Sequence, residues 1–272
     1  MKRPSIRSII PAIATLLALA AAVPAAAQTN RPRLHVSPRW RECSLQLDPS
    51  LSQTAWHQFT EEAGLVTYFR PLSDARPMGK GTFEASVLQW QTGIDNSTSA
   101  WNDTFVHPDS THWLFEGNRL AFPGLMIRSG LTATTDVAAY VTKNPGSNYG
   151  FYGAQVQRAL TSGNSEWHAA ARASFVSLYG PADLDFTVYG ADLVASRTVA
   201  VTRWASLSPY VETSGYFARS HAKSSAVNLT DEQVPGMQGS FGAALDLSAA
   251  RLAVEYNVAR VRSISMKIGV GL

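Results

Sequence analysis

A single cysteine, Cys43, leaves this chain without an intramolecular disulfide, which excludes a disulfide scaffold. Beyond residue 28 no run of 18 apolar residues occurs, so no transmembrane helix is expected. A charge excess is missing as well. The chain holds 23 Lys+Arg against 20 Asp+Glu, and Lys2, Arg3 and Arg7 account for the difference. From residue 28 onward it is formally neutral, so nothing in its charge points to nucleic acid as a partner. Also absent are a G-x-S-x-G nucleophile turn and an H-E-x-x-H zinc motif. No sequence repeat or low-complexity tract occurs.

What is present begins with MKRPSIRSIIPAIATLLALAAAVPAAAQ. A basic start, an apolar stretch from Ile9 to Val23 and Ala25-Ala26-Ala27 before Gln28 read as a cleaved secretory signal peptide, residues 1–27. Cys43 lies well past that site, so no lipoprotein anchor is expected there. Residues 28–80 form an N-terminal periplasmic or plug segment. Within it, Ser50 with Gln53 three residues on suggests a capping box. Leu51, Ala55, Phe59 and Ala63 share a face, and Gly64 is placed to end the helix, giving a helix over 50–62. Leu65 to Phe69 suggests a short strand, and RPLSDARPMGKG a loop.

From Gly81 the period changes to two. Ten strands are expected, at 81–92, 121–129, 134–142, 149–159, 167–178, 185–196, 204–217, 237–247, 252–259 and 263–272. Each is near the length at which a tilted strand crosses a bilayer. Trp167, Ala169, Ala171, Ala173 and Phe175 oppose His168, Arg172 and Ser174; Leu252, Val254, Tyr256 and Val258 oppose Glu255 and Asn257. The first strand is ambiguous, with Phe83, Ala85 and Val87 on one face and Leu88 and Trp90 on the other. Pro209 requires a bulge or a rim position, because it has no N–H to give a ladder. The two longest gaps, 93–120 and 218–236, are separated by six strands, an even number, so both fall at one end. The short connections fall at the other. The final strand SISMKIGVGL then closes the barrel at the periplasmic rim. The expected fold is all-β: an antiparallel, up-and-down transmembrane barrel of about ten strands, within 8–12, whose short N-terminal helix enters or caps the lumen.

The A-x-A signal, the alternating segments from Gly81 to Leu272 and the terminal strand resemble a Gram-negative outer-membrane β-barrel protein. A helix ahead of the barrel is similar to the plan of small porin-like and FadL-like transport proteins. This resemblance implies an outer-membrane location, lipid and the barrel-assembly machinery as partners, and a small or apolar solute as possible cargo. No cofactor is implied. Members of this class usually end on an aromatic residue that the assembly machinery reads, and this chain departs from that with Leu272.

Given these phases, the lumen-facing candidates are Glu84, Arg128, Asp136, His168, Arg172, Asp192, Glu212, Asp246, Glu255 and Lys267. They make either a charged pore lining or a closed lumen of paired charges. Ten strands favour the latter, since such a barrel is only slightly wider than those filled by their own side chains. His107, Asp109 and His112 have a spacing that could seat a metal, but on a loop without a third strong ligand they are better read as ordinary loop residues. In the same loop Trp101, Phe105, Trp113 and Phe115 suggest aromatics at the outer bilayer interface, or less economically a surface that captures an apolar ligand. Ser220, His221 and Glu232 can be picked out as a catalytic set, though serine is so common here that chance explains them, and no enzyme is expected.

Three functions remain open: a narrow channel or transporter, a non-conducting structural or surface-interaction barrel, and a soluble secreted or periplasmic β-protein. In the last, the apolar faces would turn inward.

Overall fold

A computed structural model describes residues 44–95, 97–106, 115–116, 119–143, 147–161 and 165–271. The expected signal peptide, Cys43 and the possible metal ligands His107, Asp109 and His112 lie outside the described residues.

Strict alternation builds the wall. The strands are β1 (Phe83–Gly93), β2 (Arg119–Gly130), β3 (Thr135–Lys143), β4 (Gly150–Ala159) and β5 (Trp167–Tyr179). They continue as β6 (Leu184–Arg197), β7 (Ala205–Ala222), β8 (Glu232–Leu247), β9 (Ala250–Val258) and β10 (Ser263–Gly271). Each pairs antiparallel with its neighbours in sequence, and β10 returns to β1, from Ser263 opposite Thr92 to Gly271 opposite Glu84. The sheet is therefore a closed ten-stranded barrel. Closure matters because an unpaired N–H or C=O in hydrocarbon costs several kcal/mol.

The register turns the large apolar side chains outward. Val87, Leu125, Ile127, Leu193, Val211, Phe241 and Val254 are all exposed, while Arg128, Arg172, Asp192, Glu212 and Glu255 on the alternate positions are buried. A soluble β-protein would bury the first set and expose the second. On β1 the ambiguity resolves cleanly: Phe83 and Val87 face out, and Leu88 and Trp90 are buried inside. Their apolar character serves an interior partner, since Trp90 Nε1 donates to Val66 O at 3.0 Å. Pro209 sits where β7 changes partners. Leu207 faces Val199 of a short strand, Val199–Thr202, whereas pairing with β6 begins only at Tyr210. Its missing N–H thus falls in a gap of the ladder.

The connections between β2 and β3, β4 and β5, β6 and β7, and β8 and β9 lie at one rim, with both ends of the barrel sequence. The connections between β1 and β2, β3 and β4, β5 and β6, β7 and β8, and β9 and β10 lie at the other. The connection after β7 is shorter than its composition suggests, because β7 and β8 run for 18 and 16 residues.

Helix α1 (Gln53–Thr67) lies inside the barrel. Its start is Ser52, not Ser50: Ala55 N donates to Ser52 Oγ at 3.2 Å. Ser50 is held instead by Asp48, which accepts from its N and Oγ at 2.8 and 2.6 Å. Gln53, free of the capping role, donates to Thr230 O at 3.2 Å. Gly64 does not end the helix, and Leu65–Thr67 is helical where a strand was expected. The glycine serves packing. A Cβ there would stand 2.7 Å from Tyr216 Cε2 and 2.9 Å from the Ala218 Cβ, so the helix could not approach β7. Replacing Gly64 by leucine is expected to lower stability by about 1–3 kcal/mol through overpacking. Temperature-dependent, heat-modifiable gel migration measures this, and Tyr216→Ala in the same chain should restore part of the loss.

Candidate functional site in the barrel lumen

The interior falls into two layers. Near the rim of the long connections, α1 presents Trp56 and Phe59 to an aromatic lining. Trp56 and Phe59 stack at 5.5 Å, Phe59 meets Trp101 edge-on at 5.2 Å, and Phe122 meets Phe151 at 5.5 Å. Trp101 belongs to a short helix α2 (Ser99–Asn102) that folds the β1–β2 connection back over the mouth. Trp101 and Phe105 are therefore buried at 1 % and 3 % exposure, not spread at the bilayer interface. Burial of the indole is satisfied by a hydrogen bond from Trp101 Nε1 to Glu62. The physical reason for the departure is that α1 offers apolar surface inside the mouth. The side chains of Trp113 and Phe115 lie outside the described residues.

From mid-barrel to the rim of short turns the interior is charged, and the ionic residues named above are buried or half-buried there. Glu84 pairs with Lys267 at 2.8 Å and with Arg251 at 3.1 Å. Arg128 pairs with Asp136 at 2.6 Å. Arg172 is paired with Glu212, and Asp192 accepts from the Tyr68 hydroxyl. Glu255 accepts from Tyr210 at 2.9 Å and from Asn257 Nδ2 at 3.0 Å. Asp246 is shared by Arg76 and Arg251. His168 is buried, and its Nδ1 finds no hydrogen-bond partner among the described residues.

What sequence reasoning missed is the object these groups hold. After Thr67 the chain continues through the lumen as an extended strap, 68–80, before starting β1. Wall side chains bind its backbone. Lys267 Nζ donates to Pro71 O at 3.2 Å; Arg172 Nη2 donates to Ser73 O at 2.7 Å and Asp74 O at 3.1 Å. Gln157 reaches Arg76 O at 3.2 Å. In the opposite sense, Ala75 N donates to Ser196 Oγ and Met78 N to Asp136, each at 3.1 Å. Arg70, Asp74 and Arg76, all on the strap, add side-chain contacts that no alternation could flag. Arg76 joins Asp74 to Asp246, and Arg70 Nε donates to Asn257 Oδ1 at 3.0 Å. The clue in the sequence is Pro71 and Pro77 in RPLSDARPM: an extended backbone rich in free carbonyls.

Little space remains. One cavity of about 80 Å³ lies between the strap and the wall from β8 through β10 to β1 and β2, lined by Asp74, Arg76, Glu84, Arg128, Asp246 and Lys267 among others. A second, of about 20 Å³, lies in the apolar layer. The possible catalytic trio is dispersed. Ser220 lies inside, hydrogen-bonded to Thr60 at 2.6 Å; His221 lies outside against Asp231 at 2.6 Å; Glu232 holds His57 at 2.7 Å.

These features define an outer-membrane type of β-barrel: closed, antiparallel, apolar outside and polar within. No family model matches the chain, and no curated protein matches it. Several solved barrels share its general plan. The β domain of the Bordetella autotransporter Brka is 9 % identical with a TM-score of 0.42, covering 71 % of this chain and 100 % of that one. The KdgM porin in complex with disordered oligogalacturonate is 10 % identical with a TM-score of 0.32, covering 69 % and 98 %. Ail, the attachment invasion locus protein of Yersinia pestis, is 12 % identical with a TM-score of 0.28, covering 71 % and 97 %.

Arg172 is the member of the inner wall with most to lose, since it binds Glu212, Gln157 and the strap together. Arg172→Met leaves the Glu212 carboxylate buried without its cation and is expected to cost about 3–5 kcal/mol. Adding Glu212→Gln should recover part of that loss. Urea titration followed by gel migration reads both variants.

Proposed function

We propose that this chain is an outer-membrane barrel that is closed at rest and acts through its outer surface, in a structural or surface-interaction role. One observation carries this reading: the chain from Gln53 to Met78 occupies the lumen from one rim to the other. The charges that could line a pore are already committed to each other and to the strap backbone. The protein is exported by cleavage of residues 1–27, assembled by the barrel-assembly machinery, and seated with its long connections outward. It is not proposed to be an enzyme, and no cofactor is assigned.

The alternative reading, a narrow channel or transporter for small or apolar solutes, needs α1 and the strap to shift together. The apolar layer near one mouth favours that alternative. Against it stand the hydrogen bonds from Lys267, Arg172, Gln157 and Arg128 to strap carbonyls.

Planar-bilayer recording separates the two. The native protein is expected to give no steady current. Lys267→Met with Arg172→Met, which frees the strap, should raise the frequency of brief openings, and removal of 53–78 should give a persistent pore. A steady, solute-dependent current through the native protein would favour the transporter.

A further inference from the structure

The direction in which the chain passes through its own barrel has a topological consequence. The described chain starts at the rim of long connections. Ser44 and Leu45 pair with Val106 and Phe105 of the β1–β2 connection, and Leu45 N donates to Asn148 Oδ1 at 3.0 Å. Leu47 N donates to Asp183 at 3.2 Å, and Thr230 N to Gln53 Oε1 at 2.9 Å. These partners come from four different connections at one mouth. The chain then descends. Thr60 meets Ser220, Tyr216 donates to Glu61 O at 3.2 Å, and Tyr68 meets Asp192 halfway along β6. It leaves at the opposite rim, where Gly81 N donates to Gly130 O at 2.9 Å and β1 begins.

We infer that the segment preceding Ser44 is displayed on the outer face of the membrane, delivered there through the barrel that the same chain forms. The inference rests on the outward orientation of the long connections proposed above. A path back to the periplasm through the lumen is blocked, since α1 and the strap occupy it and the cavities of about 80 and 20 Å³ beside them cannot admit a second strand of backbone. A path back through the wall is blocked by the closed ladder. The barrel therefore works as a clamp that fixes the preceding N-terminal segment on the outside while both ends of its own sheet stay inside. Its charged contacts suit this task. They bind backbone carbonyls of the strap, which holds the chain against being pulled outward without requiring a shaped ligand.

Membrane-impermeant maleimide labelling of intact cells tests this directly. Three single-cysteine variants are made in a Cys43→Ser background. Asn30→Cys reports the N-terminal segment, Ser225→Cys the β7–β8 connection at the same mouth, and Thr132→Cys a short turn at the other rim. Heat-modifiable migration of each sample shows that the barrel is folded. The expected result is labelling of Asn30→Cys and Ser225→Cys to the same extent in intact cells, with Thr132→Cys labelled only after lysis. If Ser225→Cys is labelled and Asn30→Cys is not, display is overturned while the barrel's orientation stands. If only Thr132→Cys is labelled in intact cells, the orientation itself is wrong and display falls with it. A peptide tag inserted between Asn30 and Arg31 and shaved by protease from intact cells gives the same answer without cysteine. Its survival beside a cleaved tag in 223–231 would overturn the proposal.

Discussion

Charges that face the inside of a narrow barrel have to be neutralised there, and in this protein wall charges pair with one another while the backbone of the chain's own strap takes up their remaining hydrogen bonds. A ten-stranded wall leaves an interior slightly too wide for its side chains alone to fill across the axis. Arg172 shows the result. Its guanidinium is shared among Glu212, Gln157 and two strap carbonyls, so wall and strap are satisfied by the same donors. Remove the strap and buried donors face one another with carbonyl partners missing. Remove the wall charges and the strap carbonyls are left in the same condition. Such a network is costly when half satisfied and rigid when complete.

The two layers of the lumen follow from this division. Where backbone must be held, the wall supplies charge: Lys267, Arg128, Arg172 and Asp136. Where a helix must be held, its own backbone is already bonded internally, and the wall supplies aromatic rings instead. Hence the inward Trp90, Phe122 and Phe151 lie beside α1, and the inward Glu84 and Lys267 beside the strap. Gly64 and Ala218 allow the close approach between α1 and β7 that the aromatic layer alone would not. The lid formed by α2 completes the same layer from above, with Trp101 bonded to Glu62.

A filled lumen changes what the outer surface is for. The apolar band from Val87 around to Val254 answers only to lipid. Under the closed, surface-acting role proposed above, specific recognition belongs to the rims and to the segment that the barrel is inferred to hold outside. In the lumen, a small polar cavity and a smaller apolar one are both walled by groups that already hold the helix or the strap.

Period-two alternation made the wall legible from the sequence. A strand's face is set by each residue's immediate neighbours, so the phases of β5, β9 and β10 and the inward position of Arg172, Glu255 and Lys267 needed no knowledge of distant contacts. Parity of strands placed the long connections together for the same reason: it is counting along the chain. The lumen's contents obey no period. Ser52 rather than Ser50 caps α1 because Asp48 captures the first serine, and Gly64 sits within the helix rather than at its end because Tyr216 and Ala218 need that space. RPLSDARPM reads as a loop by composition and is a buried strap only because Lys267, Arg172 and Asp136, some 60 to 200 residues later, converge on its backbone. Trp101 and Phe105 turned inward because α1 was there to receive them. These are contacts between residues far apart in sequence, made by irregular backbone, and only the closed barrel brings them within reach.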